Sequence, residues 1–552
     1  MGKRIEVPKV GECPADRTKV FISPVNLTAN GRAHLGHAGG PFLRMDVLAR
    51  HLRRSGHRVT SGLTTDGFEN HVVVKAAAEG SDPSELAHGY YRQIKSDLSS
   101  IGIRFDRFDD PAHEQNVGRF NKVKDDLVRN LELGAQVVLR EEELPADDAL
   151  PDGAATEDRF CIGGWFAARC PRCEAPAGSF FCEACGDHFE PSEAKEPASR
   201  RGKIIAWRRN KSFYLQVLAK AGLPDLWRDM VIEEPFAGIA QRYVDLKGET
   251  MRLTVPGLYG LNWPSHGLPT NQICFSYSSL LYAHHLYCGD SVADMNGWAN
   301  PFLVGDDTFL ISATGIDNTI PMLVGVSGCA LAQSSFRPFD RIYFNHFLRL
   351  DGNKFSTSRG HVIWTGDIAG LSGLNVDLLR VYLSEICPED GETDLRVSDM
   401  IARHNELLAL IQPKVAACTA TLIKAQGSQV AFDEALLRIL DRLYEYQSIS
   451  LSIDQLRVSR ASLPITDWLA AASDFTSANA AYTWLKGLSL LGAPLMPDLS
   501  EALWSWLGHE QTVRTEDFFQ RPPIRHAASP RLHGRPLSYS DLDSCLPRQY
   551  AA

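Results

Sequence analysis

The sequence predicts an α/β protein in which a parallel sheet with crossover helices is split by a cysteine-bearing insertion and is followed by an α-helical region. Three observations support this fold class. Strand-like and helix-like runs alternate near the N-terminus. Two Cys-x-x-Cys pairs then occur in an acidic and proline-rich stretch. From about residue 397 to residue 507, apolar residues recur at helical spacing.

The first part of the sheet is predicted between residues 19 and 105. The runs KVFIS (19–23) and RVTSGLTT (58–65) are typical of strands, and two runs at 42–56 and 84–102 carry apolar residues at helical spacing. Because strands and helices alternate, we expect the strands to be parallel. Further elements are predicted as strands at 271–279, 307–313 and 341–350 and as a long amphipathic helix at 434–458.

The composition fits a globular protein of several domains. The chain has 552 residues, of which 44% are hydrophobic and 22% are charged. A chain of this length is too long to fold around a single hydrophobic core, so we expect about two to four domains. No apolar run approaches the roughly 20 residues of a membrane span, and the N-terminal stretch lacks the apolar core of a secretory signal. We therefore expect a cytoplasmic protein with no membrane contact.

The net charge of −10 indicates that the surface is not a general nucleic-acid binder. Basic clusters nevertheless occur at residues 50–58, 200–203 and 208–211. Each cluster has two interpretations, which are a local RNA contact and a solvated face.

The cysteines indicate one metal site in a reducing compartment rather than a disulfide framework. Of twelve cysteines, four form two Cys-x-x-Cys pairs, and the other eight are scattered. Two such pairs can hold Zn²⁺ with four thiolates in a closed structural site. The predicted ligands are Cys170, Cys173, Cys182 and Cys185. Four free core cysteines are the alternative.

Two short motifs carry candidate chemistry. His34-Leu-Gly36-His37 lies where the first strand is expected to hand over to a helix, and ligands bind at the carboxyl ends of parallel strands. Far downstream, KFSTSRG (354–360) follows a predicted strand and combines a lysine with hydroxyl residues, which suits a loop that closes over pyrophosphate. Alone, the first motif also fits two packed histidines, and the second fits a polar turn.

Together, HLGH and KFSTSRG resemble the HIGH and KMSKS motifs of class I aminoacyl-tRNA synthetases. The four-cysteine knuckle between them and the helical region behind them narrow the resemblance to the methionyl-tRNA synthetase family. Further similar stretches are TANGRAHLGH, TTDGFEN, GLNVDLLRVYL and GAPLMPDLSEALWSWLG, so the resemblance spans about residues 18–510.

The resemblance implies a Rossmann-type catalytic domain split by a zinc-knuckle insertion, with a helical domain like the family's anticodon-binding domain. The implied segments are the first half of the Rossmann domain (1–110), a connective insertion (111–235) with the knuckle (170–185), the second half of the Rossmann domain (236–345), a KMSKS-like loop and stem-contact region (346–396), the helical domain (397–510) and a C-terminal tail (511–552).

The resemblance also implies roles for single residues. ATP, with Mg²⁺, is the implied substrate, and zinc is the implied structural metal. The implied catalytic and ATP-binding residues are His34, Gly36, His37, Asp317 for the ribose, and Lys354, Ser356, Thr357 and Ser358 of the loop. Asp66 is implied to hold the α-amino group of the amino acid. Thr357 stands where the family's loop usually has its second lysine.

Most residues that form the methionine pocket in the family are replaced in this sequence. Its Leu and Tyr before HIGH align with Asn26 and Thr28, and only one of six pocket side chains is retained. The other aligned positions are Phe275, Ser279, Tyr282 (the retained tyrosine) and Met322. A thioether needs an apolar, polarizable slot, so polar residues here predict an amino acid other than methionine.

The family's anticodon contacts are also replaced. Two of them align with Pro413, which is expected to disrupt its helix, and Ala417. Trp468 matches either the family's anticodon tryptophan or a core residue.

We therefore expect a ligase that activates an amino acid other than methionine with ATP and passes the aminoacyl group to a hydroxyl acceptor, which is tRNA or a small molecule. Some methionyl-tRNA-synthetase-like domains are joined to a metal-binding cupin and ligate an amino acid to an N-hydroxylated lysine on the way to a hydrazine. This sequence has no histidine-rich β-barrel pattern, so we expect any cupin-type partner to be a separate protein. The alternatives are a genuine methionine–tRNA ligase with a divergent pocket and a non-catalytic paralogue that binds nucleotide or RNA.

Overall fold

The computed structural model describes residues 8–150, 155–178, 180–218, 220, 222–357, 359–425, 429–472, 474–524 and 529–547. The elements before the insertion are β1 (Lys19–Ile22), β2 (Leu27–Thr28), α1 (Leu35–His37), α2 (Leu43–Arg54), β3 (Arg58–Asp66), α3 (Asn70–Glu79), α4 (Pro83–Ser100), β4 (Arg107–Asp109) and α5 (Glu114–Leu133).

The middle of the chain contains mainly short strands. Its elements are β5 (Val137–Asp147), β6 (Phe166–Arg169), β7 (Pro176–Ala177), β8 (Lys195–Ser199), β9 (Ile204–Gln216), α6 (Leu223–Asp229), α7 (Phe236–Lys247), β10 (Thr250–Arg252), β11 (Thr254–Pro256), β12 (Asn262–Trp263) and β13 (Gln272–Cys274).

The chain then returns to the sheet and ends in helices. These elements are α8 (Ser279–Asn296), β14 (Phe309–Gly315), α9 (Ser327–Leu331), β15 (Arg341–Asn345), β16 (Leu348–Leu350), β17 (Asn353–Lys354), α10 (Thr365–Ala369), α11 (Val376–Glu385), β18 (Thr393–Leu395), α12 (Val397–Lys424), α13 (Glu434–Ser450), α14 (Leu463–Ala470), α15 (Ala478–Gly492) and α16 (Pro497–Trp506).

The core of the molecule is a six-stranded parallel sheet, which confirms the predicted fold class. The strand order is β15-β14-β1-β3, and both β2 and β4 pair with β3. Strand β1 borders β3 from the first half of the sheet and β14 from the second half. The connections run outward from β1 in both directions, and such a switch point is where open parallel sheets bind ligands.

The insertion lies between β4 and β14. Strands β5 and β9 form a long antiparallel ribbon, to which β10 adds a third strand. Strands β6, β7 and β8 form a small antiparallel sheet around the cysteine pairs. The sheet that begins with β5 reaches Arg252, past residue 235. The predicted domain boundaries remain predictions.

The strand predicted over 341–350 is broken at residues 346–347 into β15 and β16, and two other predicted elements end earlier than their patterns suggested. The strand predicted over 271–279 is formed only at β13, because the backbone turns at Ser278 and α8 begins at Ser279. The helix predicted over 434–458 ends at Ser450. After it, Leu451, Ile453 and Leu456 are buried in a non-helical segment, so their apolar spacing reflects core packing and not a longer helix.

Helix α12 is the one helix of the described residues that is long and apolar enough to cross a membrane by length and composition. Its residues Leu408, Ile411 and Val415 are buried in the core, and it packs against α15. We interpret it as a core helix. It also runs without interruption through Pro413, which lies on its exposed side, so the predicted disruption of the helix is wrong.

Buried arginines join the sheet to the helical region. Arg54 donates to Gln447 Oε1 at 2.8 Å and to the Leu490 carbonyl oxygen. Arg50 pairs with Asp46, and Arg53 pairs with Asp106. Most of the basic cluster at 50–58 therefore serves internal packing, and Arg53 and Arg58 are its more exposed members.

The other two basic clusters are also largely neutralised. Arg201 is held by the buried carboxylate of Asp147 at 2.8 Å. On the β5–β9 ribbon, Lys211 lies opposite Glu141, and Arg209 lies opposite Glu143. Opposite charges across paired strands favour each other, so the ribbon presents no uniformly basic face.

Beyond α16, the described chain has a single short 3₁₀ turn at Tyr539–Asp541 and otherwise follows the body without helix or strand. The Thr515 backbone N–H donates to the Arg54 carbonyl oxygen, and Asn405 Nδ2 donates to the Leu537 carbonyl oxygen. The described part of the C-terminal tail is therefore irregular and packed along the body.

Candidate active site

The predicted site residues converge at the carboxyl edge of the parallel sheet. Asp66 is the last residue of β3, and Asp317 lies two residues after the end of β14. His34 and His37 follow β1 and β2. The carboxyl ends of neighbouring parallel strands meet at one edge, which is why residues distant in sequence share this site.

The two histidines are stacked and neutral. His34 and His37 have ring centroids 3.7 Å apart, and the His37 backbone N–H donates to His34 Nδ1 at 3.3 Å, which places the His34 proton on Nε2. Burial lowers the pKa of His34 and lowers the pKa of His37 to about 4. Neutral imidazoles can donate hydrogen bonds from ring N–H groups, which is the chemistry that holds phosphate oxygens.

The two signature motifs meet in space. The Phe355 ring stacks on His34 with centroids 4.9 Å apart. A Cβ at Gly36 would lie 2.9 Å from Phe355 and 3.0 Å from His34, so only glycine fits there. The backbone of the first motif also pairs with the chain just past the loop, because Leu35 N–H donates to the Ile363 carbonyl oxygen.

The loop itself is a tight, exposed turn. The backbones of Ser356 and His361 exchange two hydrogen bonds of 3.0 Å. Thr357 is exposed, and its carbonyl oxygen accepts from the Gly360 N–H. Ser358, the remaining predicted loop residue, lies outside the described residues. The turn thus follows directly on Phe355, which stacks on the histidine pair, and it exposes Thr357.

Lys354 reaches from the loop to the cysteine knuckle. Its Nζ lies 3.1 Å from Glu183 Oε2 and 4.4 Å from the centroid of the Phe347 ring. Burial and the Glu183 charge raise the pKa of Asp317, and Lys354 opposes that shift. Lys354, Glu183 and Asp317 therefore share one electrostatic environment. Sequence reasoning missed Glu183, which stands between two predicted metal ligands.

The four knuckle cysteines have the spacing of a tetrahedral zinc site. The Sγ atoms of Cys170 and Cys185 are 3.8 Å apart, those of Cys173 and Cys182 are 3.6 Å apart, and all four lie within 4.8 Å of one another. With Zn–S bonds of about 2.3 Å, tetrahedral ligands lie about 3.8 Å apart. The cluster is the one metal-capable group of His, Cys, Asp and Glu found in the described part of the chain.

The knuckle is packed directly over the carboxyl edge of the sheet. A Cβ at Gly186, which has φ +69°, would lie 2.9 Å from the carbonyl oxygen of Ile316, the neighbour of Asp317. The Phe181 ring lies 4.9 Å from the ring of Tyr277. A metal bound by the cysteines would therefore brace a wall of the site from a distance and would not touch reacting atoms.

Asp66 is almost fully buried beside polar groups. Its Oδ1 accepts from the Phe68 N–H at 2.9 Å and lies 3.7 Å from His284 Nε2. His284 Nδ1 in turn bonds Thr64 Oγ1 at 3.0 Å. The carboxylate is thus fixed in place at the end of β3, as a group that positions a substrate ammonium must be.

A second buried carboxylate, Glu69, lies three residues further along, at the start of α3. It accepts hydrogen bonds from Thr28 Oγ1 at 2.6 Å, Tyr277 OH at 2.8 Å and His71 Nδ1 at 3.0 Å. Burial alone would raise its pKa, but the His71 charge and the three hydrogen bonds lower the pKa of Glu69 to about 2. Glu69 in turn raises the pKa of His71 against the effect of burial.

Glu69 lies in the stretch TTDGFEN, but sequence reasoning singled out only Asp66 of that stretch. The residues that define its role, Thr28 and Tyr277, are 41 and 208 positions away.

Glu69 and Tyr277 line a cavity of about 170 Å³ between the sheet and the insertion. Its walls are formed by residues 68–73, by residues 255–259 and 273–277, and by the insertion segments at 157–165 and 180–181 with residue 201. The insertion contacts α3 beside the cavity, because the Gly164 N–H donates to Asn70 Oδ1 at 2.8 Å. Phe275 is the one predicted pocket residue among those that line it.

A comparison with protein families decides the assignment. The family model "tRNA synthetases class I (M)" matches residues 21–268 and 285–412. The chain belongs to this family. It is therefore a methionyl-tRNA-synthetase-like, ATP-dependent, amino-acid-activating ligase, and the family resemblance predicted from HLGH and KFSTSRG is confirmed.

Individual relatives of this synthetase-like chain agree. The methionine–tRNA ligase of Bifidobacterium adolescentis is 26% identical over 75% of this chain and 68% of its own length. That of Methanopyrus kandleri is 24% identical over 91% of this chain and 77% of its own length. A crystal structure of Mycobacterium tuberculosis methionyl-tRNA synthetase bound by methionyl-adenylate has the same fold, with a TM-score of 0.66 at 15% identity, over 94% of this chain and 99% of that one.

Several predicted pocket residues of the synthetase lie in the core and do not line the cavity. Ser279 Oγ donates to the Leu253 carbonyl oxygen at 2.9 Å, and Tyr282 OH donates to the Arg337 carbonyl oxygen at 2.9 Å. Met322 is fully buried in a π-helical turn. Asn26 is half-buried just before β2. Of the predicted pocket residues, Phe275 lines the cavity directly. Thr28 is linked to the cavity by its hydrogen bond to Glu69, which lines it.

Of the two interpretations left open for Trp468, the structure favours the core residue. Its indole Nε1 donates to the Trp484 carbonyl oxygen at 3.0 Å, and the Trp484 indole returns a bond to the Trp468 carbonyl oxygen at 3.2 Å. Both rings are fully buried. Pro413 and Ala417 lie exposed on α12, where neither side chain offers a hydrogen bond to a base.

Proposed function

We propose that this synthetase-like ligase activates an amino acid other than methionine and transfers it to a hydroxyl acceptor in specialised metabolism, for example to an N-hydroxy amino acid on the way to a hydrazine. In this proposal, a separate metal-binding protein of the cupin type acts after the ligase, in the later steps that lead to the hydrazine. The cytoplasm suits the chain, because all twelve cysteines are free thiols.

The observation that carries the proposal is the carboxylate of Glu69. It is 7% exposed, it is bonded to Thr28, and it lines the cavity with Tyr277. A thioether makes no hydrogen bond strong enough to offset the desolvation of a neighbouring charge. A polar substrate side chain can satisfy that carboxylate, so the pocket favours such a side chain over methionine.

The first step joins the amino-acid carboxylate to ATP. A carboxylate oxygen attacks the α-phosphorus, an acyl–phosphate bond forms, and the bond to pyrophosphate breaks. In this proposal, neutral His34 and His37 donate hydrogen bonds to phosphate oxygens, and Lys354 neutralises charge on the leaving pyrophosphate. Asp66 binds the substrate ammonium, and Asp317 accepts from the ribose hydroxyls. Mg²⁺ enters with ATP as part of the substrate.

The second step passes the acyl group to a hydroxyl. The acceptor oxygen attacks the acyl carbon, the bond to AMP breaks, and the hydroxyl proton leaves with the departing phosphate or to water. The exposed Pro413 and Ala417 and the buried Trp468 support an acceptor other than a methionine tRNA, because they remove polar groups that could read an anticodon.

The knuckle cysteines fit zinc by number, chemistry and spacing. Bound there, zinc supplies folding stability to the insertion and no reactive position, because four thiolates complete its coordination. Cys170, Cys173, Cys182 and Cys185 would hold it.

The test is ATP–pyrophosphate exchange with each of the twenty amino acids, followed by AMP release in the presence of bulk tRNA or of hydroxylamine-bearing amino acids. We expect exchange with a polar amino acid, no exchange with methionine, and AMP release driven by the small acceptor. His37→Ala is the matched inactive control. Exchange with methionine alone, followed by charging of tRNA, would overturn the proposal.

That outcome defines the second candidate, a methionine–tRNA ligase with a divergent pocket. The specific observation in its favour is that the two relatives quoted above are methionine–tRNA ligases and that this chain matches 68% and 77% of their length. The same exchange assay separates the two candidates.

A further inference from the structure

We propose that Glu69 is a specificity-determining residue and that the cavity beside it receives an amino-acid side chain ending in a protonated amine. The inference rests on the proposed function and names the substrate class of the same site.

The cavity lies where the side chain of a bound amino acid has room. Asp66, the predicted ammonium ligand, ends β3, and the following residues Phe68, Glu69 and His71 form one wall of the cavity. The volume of about 170 Å³ exceeds the roughly 150 Å³ of an engineered cavity that takes benzene. A long side chain can therefore enter it.

Glu69 retains capacity for one more donor. A carboxylate offers about four acceptor positions. Oε1 accepts from His71 and Tyr277, whereas Oε2 accepts only from Thr28 among the hydrogen bonds described. A substrate N–H group at Oε2 would complete the set. Because Glu69 is buried, a substrate without a donor leaves that position unsatisfied at a cost in affinity.

The charge around the cavity favours a cation over a neutral donor. Three acidic residues line it, namely Glu69, Glu157 and Asp158, against two bases, His71 and Arg201. Arg201 is already held by the buried Asp147 carboxylate at 2.8 Å, and His71 pairs with Glu69 at 3.0 Å, so the excess of negative charge in the lining comes from Glu157 and Asp158.

The remaining walls suit both parts of an amine side chain. They are largely aromatic, from Phe160, Trp165, Phe180, Phe181, Phe275 and Tyr277. Trp165 already faces Arg201 and Phe180 already faces Arg252, so the other four rings are the ones that can bury a methylene stem and attract a substrate cation near the ring centre. The combination of an aromatic wall and an acidic end therefore fits a long aliphatic amine better than it fits a thioether or a short hydroxyl.

The experiment compares isosteric substrates in ATP–pyrophosphate exchange. L-lysine and L-ornithine are each paired with the apolar analogue of the same side-chain length, L-2-aminoheptanoic acid and L-norleucine, and methionine is included. The wild type is compared with Glu69→Gln, which removes the charge, and with Tyr277→Phe, which keeps the carboxylate and the ring. Zinc content and thermal unfolding with and without MgATP report that each variant is folded.

We expect the wild type to prefer the amine over its apolar analogue by at least about tenfold in kcat/KM, since a hydrogen bond to a charged group has that worth. Glu69→Gln should reduce that preference by about tenfold or more, and Tyr277→Phe should retain it. If Glu69→Gln does not fold, Glu157→Gln on the far wall serves instead, and the preference should fall in the same direction.

The other outcomes separate this inference from the proposed function. Exchange with methionine alone overturns both. Exchange with a small or neutral amino acid overturns the inference and leaves the proposed function standing. If the amines support no exchange but accelerate AMP release from a preformed adenylate in a Glu69-dependent way, the cavity belongs to the acceptor, and the inference is overturned.

Discussion

The ion pair between Lys354 and Glu183 should hold the signature loop against the knuckle before ATP binds. Its atoms are 3.1 Å apart, and the side chains are 42% and 63% exposed. ATP must separate the pair if Lys354 is to reach the leaving pyrophosphate. We therefore predict that Glu183→Gln lowers the KM for ATP and leaves kcat almost unchanged.

The expected size follows from the exposure of the pair. Exposed ion pairs contribute about 0.2–1 kcal/mol, which corresponds to about 1.4- to fivefold in affinity. Since such pairs are screened by salt, the difference between Glu183→Gln and wild type should shrink at about 0.5 M salt. Lys354→Met, in contrast, should reduce kcat by about 10²- to 10³-fold, because it removes a charge that stabilises the transition state.

The assay is ATP–pyrophosphate exchange at varied ATP and saturating amino acid. Glu174→Gln is the matched control, because Glu174 pairs with Lys195 at 2.7 Å on the same knuckle with similar exposure and makes no described contact with the loop. Its KM for ATP should equal that of the wild type. A hundredfold loss of kcat in Glu183→Gln would refute the reasoning, because Glu183 would then act on the reaction and not merely on the resting position of Lys354.

Three further predictions follow from buried groups and the cysteine cluster. Cys182→Ser should abolish bound zinc in elemental analysis and lower the unfolding temperature, whereas Cys13→Ser, at an exposed thiol away from the cluster, should do neither; equal zinc in both would exclude the site. Arg380→Met should destabilise the chain by about 3–5 kcal/mol in urea unfolding, because Arg380 is fully buried and its removal takes one of two cationic partners from buried Asp46 and the guanidinium donor from the carbonyl oxygens of Ile101, Pro494 and Leu495; a change below about 1 kcal/mol would contradict this. Burial lowers the pKa of His285 to about 3, so between about pH 6.5 and pH 3 the unfolded chain binds a proton that the native chain does not. The free energy of unfolding should therefore be full above pH 6.5 and should fall by about 2 kcal/mol on going to pH 5. His285→Gln should show a shallower dependence on pH, and an identical dependence in both proteins would count against the prediction.

The fold was largely predictable because it rests on local patterns. Strands β1, β3 and β14 and helices α2 and α4 lie within a few residues of their predicted positions. The alternation of strand and helix is a short-range signal, and parallel pairing follows from it with few alternatives. The ends of β13 and α13 were misplaced, because buried apolar residues continue past them in other backbone conformations.

The candidate site was predicted in part. The four cysteines were predicted from their spacing, and His34 and His37 from the family resemblance that HLGH and KFSTSRG carry together. Glu69 and Glu183 were not, since each acquires its role from a partner more than 40 positions away.

The sequence by itself determined the fold class, the family and the residues of the two signature motifs, because the patterns that indicate them lie in short, contiguous segments. Only the tertiary structure decided that Tyr282 and Trp468 are core residues, that the basic cluster at 50–58 joins two parts of the molecule, and that Thr28 bonds a buried carboxylate. The physical reason is that the free energy of a buried polar or charged group depends on its partners in space, and a sequence does not specify those partners until the chain has folded.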